Sequence, residues 1–275
     1  MTDRYAVIGN PIGHSKSPAI HMGFAAVTGQ DISYEALLAP VDGFAQAVDA
    51  FRAGGGRGLN VTAPFKLDAA AYATQRLDRA ELAGAVNALS FDGPAAVADN
   101  FDGVGLTRDI VANLDCPLQG RRILMLGAGG AARGALPPFL DQRPAEVVVA
   151  NREPERAADL ARRFAAHGPV RATGLDGLRR ERGGFDVVVN ATSASLHGSL
   201  PDIGLAVFGP GCLAYEMVYG RGLTPFLRLA RDAGVTRLAD GVGMLVEQAA
   251  EAFAWWRGVR PDTRAVIERM TVPLR

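Results

Sequence analysis

The amino-acid sequence predicts an α/β fold divided into two domains. Three observations carry that reading. Short β-rich runs alternate with longer helical patterns along the whole chain, the signal for α/β architecture with parallel sheets. Runs in the second half are apolar without alternation, as strands buried on both faces of a doubly wound sheet are. The 275 residues leave room for roughly two domains at about 150 residues each.

In the first half, Tyr5–Ile8 reads as a strand ending in a Gly-Asn-Pro turn. Ser17–Gly29 reads as a helix with Pro18 in its first turn. Tyr34–Leu38 is a strand, and Phe44–Phe51 a short helix stopped by Gly54-Gly55-Gly56. Gly58–Thr62 is a strand ending before Pro64, and Val86–Phe91 is another. Between them Arg79–Ala83 is a short helix, with Asp78 and Glu81 spaced as a cap and its partner. Asn100–Gly103 closes the block, and a helix through Leu114 leads into the second half.

There, Ile123–Leu126, Val147–Ala150 and Phe185–Asn190 are apolar strands, and Leu213–Met217 suits a fourth. Gly130–Leu140 and Arg156–Phe164 are helices, the first kinked or shortened by Pro137-Pro138. Gly243–Trp256 is an amphipathic helix.

Composition narrows the function. Hydrophobic residues make up 48% and charged residues 21%, which excludes global disorder. Lys and Arg total 29, as do Asp and Glu, so nothing draws the whole chain toward nucleic acid or anionic membrane. No apolar run reaches membrane-spanning length, and the N-terminus lacks a signal peptide's apolar stretch. Cys116 and Cys212 have no metal-ligand spacing. They read as buried thiols in a reducing cytoplasm, and no metal is expected.

The strongest motif is Gly127, Ala128, Gly129, Gly130, Ala131 and Ala132, directly after one strand and before a helix. That is the context of a dinucleotide fingerprint: a tight turn, close backbone approach to a pyrophosphate, and helix amides facing phosphate. An unliganded strand-to-helix turn is the plainer alternative. The next strand ends in Asn151 and Arg152, with Arg156 beyond. Arginine forks in place of an acidic residue suit a ribose 2′-phosphate and point to NADP rather than NAD. Thr192 in NATSAS and Met217 in MVYG also follow strand ends, where ligands of open α/β sheets bind. Both loops read equally as ordinary turns.

In the first half, Ser15 and Ser17 flank Lys16 before a helix. Two hydroxyls at a helix N-terminus suit a carboxylate, and one serine alone suits a cap. Asn60 and Thr62 share a strand face, followed by Lys66, Asn87 and Asp102. These groups compose a pocket for a polyhydroxylated acid. Lys66 and Asp102 are the candidate acid–base pair for an alcohol–ketone interconversion; they also read as a surface lysine and a helix cap.

GNPIGHSKSP, NVTAPFK, AVNAL, DNFDGVG, GAGGAARG, NATS and DGVGMLVEQAA, in this order, resemble the shikimate dehydrogenases over essentially the whole chain. The resemblance implies a two-domain enzyme. Residues 1–102 with 239–275 would bind substrate, and 103–238 would form a Rossmann-type NADP domain. It implies reversible NADPH-dependent reduction of 3-dehydroshikimate to shikimate in aromatic biosynthesis; a cytoplasmic monomer or homodimer is expected. Ser15 and Ser17 would hold the carboxylate. Asn60, Thr62, Asn87 and Gln248 would bind hydroxyls, Lys66 and Asp102 would be catalytic, and Tyr219 would lie beside substrate. Gly241 joins Thr192 and Met217 in the implied cofactor set. Phe101 replaces the family's usual small hydroxyl residue, and is expected to narrow the pocket, remove a polar contact or desolvate Asp102. That departure keeps open a paralogue acting on quinate or a related cyclic acid. A non-catalytic NADP-binding sensor is a further alternative, against which the retained Lys66 and Asp102 weigh.

Overall fold

The computed structural model describes residues 2–220 and 222–274. The chain forms two compact units, Met1–Gly105 with Val246–Val266, and Leu106–Leu245 with Ile267–Arg275. These bounds differ from the division read in the sequence, since the C-terminal segment is shared between the units.

The first unit contains β1 (Asp3–Gly9), α1 (Ser17–Thr28), β2 (Ile32–Leu38), α2 (Phe44–Ala53), β3 (Gly56–Val61) and α3 (Lys66–Tyr72). It continues through β4 (Gln75–Arg76), α4 (Asp78–Ala83), β5 (Ala88–Asp92), β6 (Ala95–Asp99) and the start of α5 (Asp102–Arg108). Its sheet order is β2-β1-β3-β5-β6-β4. The sheet is mixed, which corrects the expectation of parallel sheets throughout. The β3–β5 and β5–β6 pairs are antiparallel, the second as a hairpin whose tight turn holds Gly93 at a positive φ. One face packs Ile8, Phe44, Val48, Phe51, Leu59, Phe65 and Leu89 into a core. Asp78 is not the cap of α4. That place falls to Leu77, with no side-chain cap, while the Glu81 carboxylate accepts from Arg76.

After α5 a π-helical turn, Asp109–Asn113, leads into the second unit. Here follow β7 (Arg122–Leu126), α6 (Gly130–Asp141), β8 (Glu146–Asn151), α7 (Pro154–Phe164), β9 (Val170–Gly174) and β10 (Phe185–Asn190). Then come β11 (Phe208–Glu216), α8 (Pro225–Asp232) and β12 (Arg237–Asp240), before α9 (Val242–Arg257) and α10 (Arg264–Met270). The sheet order β12-β11-β10-β7-β8-β9 is parallel at every pair. This is the doubly wound Rossmann arrangement, with its switch point between β7 and β10. The apolar runs behave as predicted: Leu124, Leu126, Val148, Ala150, Val188 and Ala214 are all fully buried. Pro137 and Pro138 do not shorten α6, which reaches Asp141. The buried Leu136, Phe139 and Leu140 hold the helix despite the hydrogen bonds that proline cannot donate.

Candidate active site

In the first unit the chain after β3 is turned by two backbone bonds. Thr62 N donates to Ile8 O at 3.0 Å, and Phe65 N to Thr62 O at 3.0 Å. Phe65 is fully buried, so the turn is pinned and Lys66 becomes the first residue of α3. Asn87 immediately precedes β5, its N–H on Asp99 O and its carbonyl accepting from Val61 N. Asp102 opens α5.

These turns bring four predicted residues together. Lys66 Nζ forms an ion pair with Asp102 Oδ2. Asn87 Nδ2 donates to Asp102 Oδ1 at 2.8 Å and to Gln248 Oε1 at 3.3 Å. The Lys66 side chain is 35% exposed and that of Asp102 16%, so the pair is half-sheltered yet open to a small molecule. Asn60 lies beside this group, its Nδ2 3.4 Å from Asn87 O and its Oδ1 accepting from Tyr34 Oη at 2.6 Å. Ser15 Oγ accepts from Ser17 N at 3.3 Å. Lys16 at the cap of α1 makes no side-chain cap bond, Pro18 carries no N–H, and Ile20 N donates to Lys16 O at 3.1 Å, so an anion at this turn would rely on the two serine hydroxyls.

Phe101 does not enter this group. It is buried with Ala88 and Ala252, edge-on to Trp255 with centroids 5.6 Å apart, and 5.1 Å below the Arg79 guanidinium. Consecutive residues in an extended segment point to opposite sides. Asp102 takes the polar side and Phe101 the core, so the ring packs against Trp255 and Ala252 and away from the Lys66–Asp102 pair.

In the second unit, Gly127 has φ +104° and its N–H donates to Ala150 O at 2.8 Å. A Cβ there would lie 3.1 Å from Thr192 Cγ2 and 3.3 Å from the Ala191 backbone. Gly129 caps α6 without a side-chain bond. Added methyl groups at Gly129 or Gly130 would meet only open space. The α6 amides are thus uncovered, as a pyrophosphate needs. Arg152 and Arg156 are exposed beyond β8. Arg156 pairs with Glu153 at 3.0 Å. Among the described residues Arg152 has no hydrogen bond or ion pair, and its guanidinium is available to an anion. Asn151 Nδ2 closes the turn on Glu153 O. These observations fit a phosphorylated dinucleotide. The other predicted residues sit on the adjoining loops. Thr192 donates to Asn190 Oδ1, Met217 N donates to Asn190 O, and Gly241 passes so close to Met217 that a Cβ would fall 2.2 Å from its carbonyl oxygen. Tyr219 is half-buried, and burial raises its phenol above the usual value.

Three features escape the sequence reading. Glu216 is fully buried and accepts from Ser195 Oγ, Asn190 Nδ2, Thr224 Oγ1 and Val218 N. Burial raises its carboxyl, opposed by those four donors. It ties together the loops after β10 and β11, a convergence of distant residues that no local pattern announces. His21 is fully buried and stacks on Tyr34 at 4.2 Å. Among the described residues neither ring nitrogen has a hydrogen-bond partner, and burial holds the imidazole down at about 3. Asn100 Oδ1 accepts from Asp102 N at 3.0 Å, and its i, i+2 spacing is a readable Asx-turn signal.

Three family models match in chain order. They are the shikimate dehydrogenase substrate binding domain at residues 7–89, shikimate / quinate 5-dehydrogenase at 109–197, and the shikimate 5′-dehydrogenase C-terminal domain at 241–271. The chain belongs to the shikimate dehydrogenase family. It is 55% identical to the NADP(+)-linked shikimate dehydrogenase of Nitrosospira multiformis, over 97% of this chain and 96% of that one. An Ael1 enzyme from Pseudomonas putida superposes with a TM-score of 0.95 at 57% identity, covering 100% of both chains. Shikimate 5-dehydrogenase from Thermus thermophilus, solved with NADP(H) and shikimate, superposes at 0.86 with 32% identity, over 97% of this chain and 98% of that one. Among the described residues no helix is long and apolar enough to cross a membrane, and no group of three or more His, Cys, Asp or Glu is placed to hold a metal ion.

Proposed function

We propose that this protein is an NADP-dependent shikimate dehydrogenase, reversibly reducing 3-dehydroshikimate to shikimate. The observation that carries the reading is the Lys66–Asp102 ion pair, bracketed by Asn87 and Gln248. When bound, NADPH supplies a hydride to the ketone carbon. The chain's own residues do the rest. Ser15 and Ser17 hold the carboxylate, and Asn60, Thr62, Asn87 and Gln248 orient the ring by its hydroxyls. The oxygen of the reduced carbonyl takes its proton from the Lys66–Asp102 pair, and in the oxidative direction returns it there. Asp102, fixed by two side chains and by Asn100, keeps the lysine ammonium at one place, which is the positioning that such a transfer requires. In the second unit Gly127–Ala131, Asn151, Arg152, Arg156, Thr192, Met217 and Gly241 hold the dinucleotide, with Arg152 and Arg156 on the 2′-phosphate, and Tyr219 contacts the substrate. Residues 1–102 with 239–275 form the substrate domain and 103–238 the NADP domain, and the chain works in the cytoplasm as a monomer or homodimer.

The core position of Phe101 favours shikimate over a reshaped substrate, because the ring is absorbed by Trp255 and Ala252 rather than by the pocket. The test follows NADP+ reduction by absorbance with shikimate and quinate in parallel, then repeats both with NAD+. Efficient turnover of shikimate with NADP+ is expected. Preferential turnover of quinate, or of NAD+, would reject the assignment.

A further inference from the structure

The segment Asp99-Asn100-Phe101 lies behind the proposed catalytic pair, and each of its residues grips something that touches the pair. Asn100 Oδ1 accepts from Asp102 N, while Asn100 Nδ2 donates to Ala85 O at 2.9 Å. Phe101 N donates to Asn87 Oδ1 at 2.8 Å, which leaves Asn87 Nδ2 aimed at Asp102. Asp99 Oδ1 accepts from Asn100 N at 2.8 Å. One side chain outside the segment spans it. The Arg79 guanidinium takes both oxygens of Asp99 and lies over the Phe101 ring.

The Asp99 side chain is 0% exposed and that of Arg79 is 46% exposed. An ion pair between two exposed groups would count for little. Here one partner is sealed, so removing the cation leaves a buried carboxylate uncompensated. The segment would relax to solvate it, and the backbone donors of residues 100–102 would move with it.

We infer that Arg79 is a positioning residue for the Lys66–Asp102 pair, acting through Asp99 and Phe101. The inference rests on the reading that this pair exchanges the proton. Arg79 touches neither member of the pair, and the same segment also holds the substrate-facing Asn87 through Phe101 N, so its effect must appear in turnover more than in shikimate affinity and not in NADP+ affinity.

The experiment compares Arg79→Met, Arg79→Lys, Arg79→Met with Asp99→Asn, and Lys66→Ala as a reference. Each is assayed for kcat and for KM of shikimate and NADP+, per folded molecule as judged by circular dichroism. Arg79→Met should lower kcat by about tenfold, as small misplacements of catalytic groups do, with the KM of NADP+ within about twofold of the parent and the KM of shikimate changed less than kcat. Adding Asp99→Asn should restore much of that loss, because the amide oxygen still accepts from Asn100 N without a buried charge. A purely structural role predicts a lower melting temperature with unchanged kcat per folded molecule, and that result would overturn the inference. If Arg79→Met does not fold, Arg79→Lys decides alone. An ammonium cannot reproduce the fork on Asp99, so kcat must fall, and an unchanged kcat overturns the proposal. Loss of turnover in Lys66→Ala with full turnover in Arg79→Met rejects the Arg79 role only. Full turnover in Lys66→Ala removes the proton-exchange reading and this inference with it.

Discussion

Asp102 shows how much is spent on one carboxylate. Its two oxygens face Lys66 and Asn87, and its own N–H is held by Asn100. A helix cap needs none of the side-chain partners, so the plainer reading of Asp102 explains less of what surrounds it. Arg152 poses the matching question for the cofactor. It is exposed and, among the described residues, unpaired, unlike Arg156, which leans on Glu153. A guanidinium with no internal partner is free to take a phosphate in a two-pronged grip. Arg152→Ala should therefore weaken NADPH binding by about tenfold or more and leave NADH nearly unaffected. Titration of both nucleotides by fluorescence checks this, and an equal loss for the two would reject the 2′-phosphate assignment.

At the scale of elements, α1 is held to its sheet and to α9 by one aromatic cluster. His21 stacks on Tyr34 and lies 6.1 Å from the Phe253 ring and 5.6 Å from Trp256. Tyr34 in turn donates to Asn60, so this cluster supports a substrate-facing amide. Burial holds the His21 imidazole at about 3, against 6.5 in water. The unfolded chain therefore takes a proton that the folded chain refuses. The resulting stability is complete above pH 6.5 and is lost as pH falls from there toward 3, at about 1.4 kcal/mol per pH unit. His21→Phe should keep the stack and abolish that slope. Urea unfolding at pH 6.5 and pH 5.0 measures it, and equal slopes for parent and variant would contradict the account.

Over the whole molecule, the parts legible in the sequence are those set by local physics. The apolar β7, β8 and β10 runs and Gly127 after β7 speak for themselves, because burial on both faces and a positive φ each restrict the residue types allowed. The mixed order of the first sheet is not legible, since antiparallel pairing of β5 with β3 and β6 depends on which strands meet in space. Lys66, Asn87, Asp102 and Gln248 can be named singly, and only the fold shows that they converge. The Phe101 ring defeats a local reading for the same reason: its neighbour in sequence is Asp102, but its neighbours in space are Trp255 and Arg79. The Glu216 clasp draws on residues 190, 195 and 224, a grouping that no short window of sequence contains.

The central claim is that Lys66 and Asp102 exchange the substrate's proton. Steady-state kinetics of Lys66→Ala with shikimate and NADP+ test it most directly. The account predicts that kcat falls by about 10²-fold or more while the KM for shikimate changes far less. An unchanged kcat would contradict it.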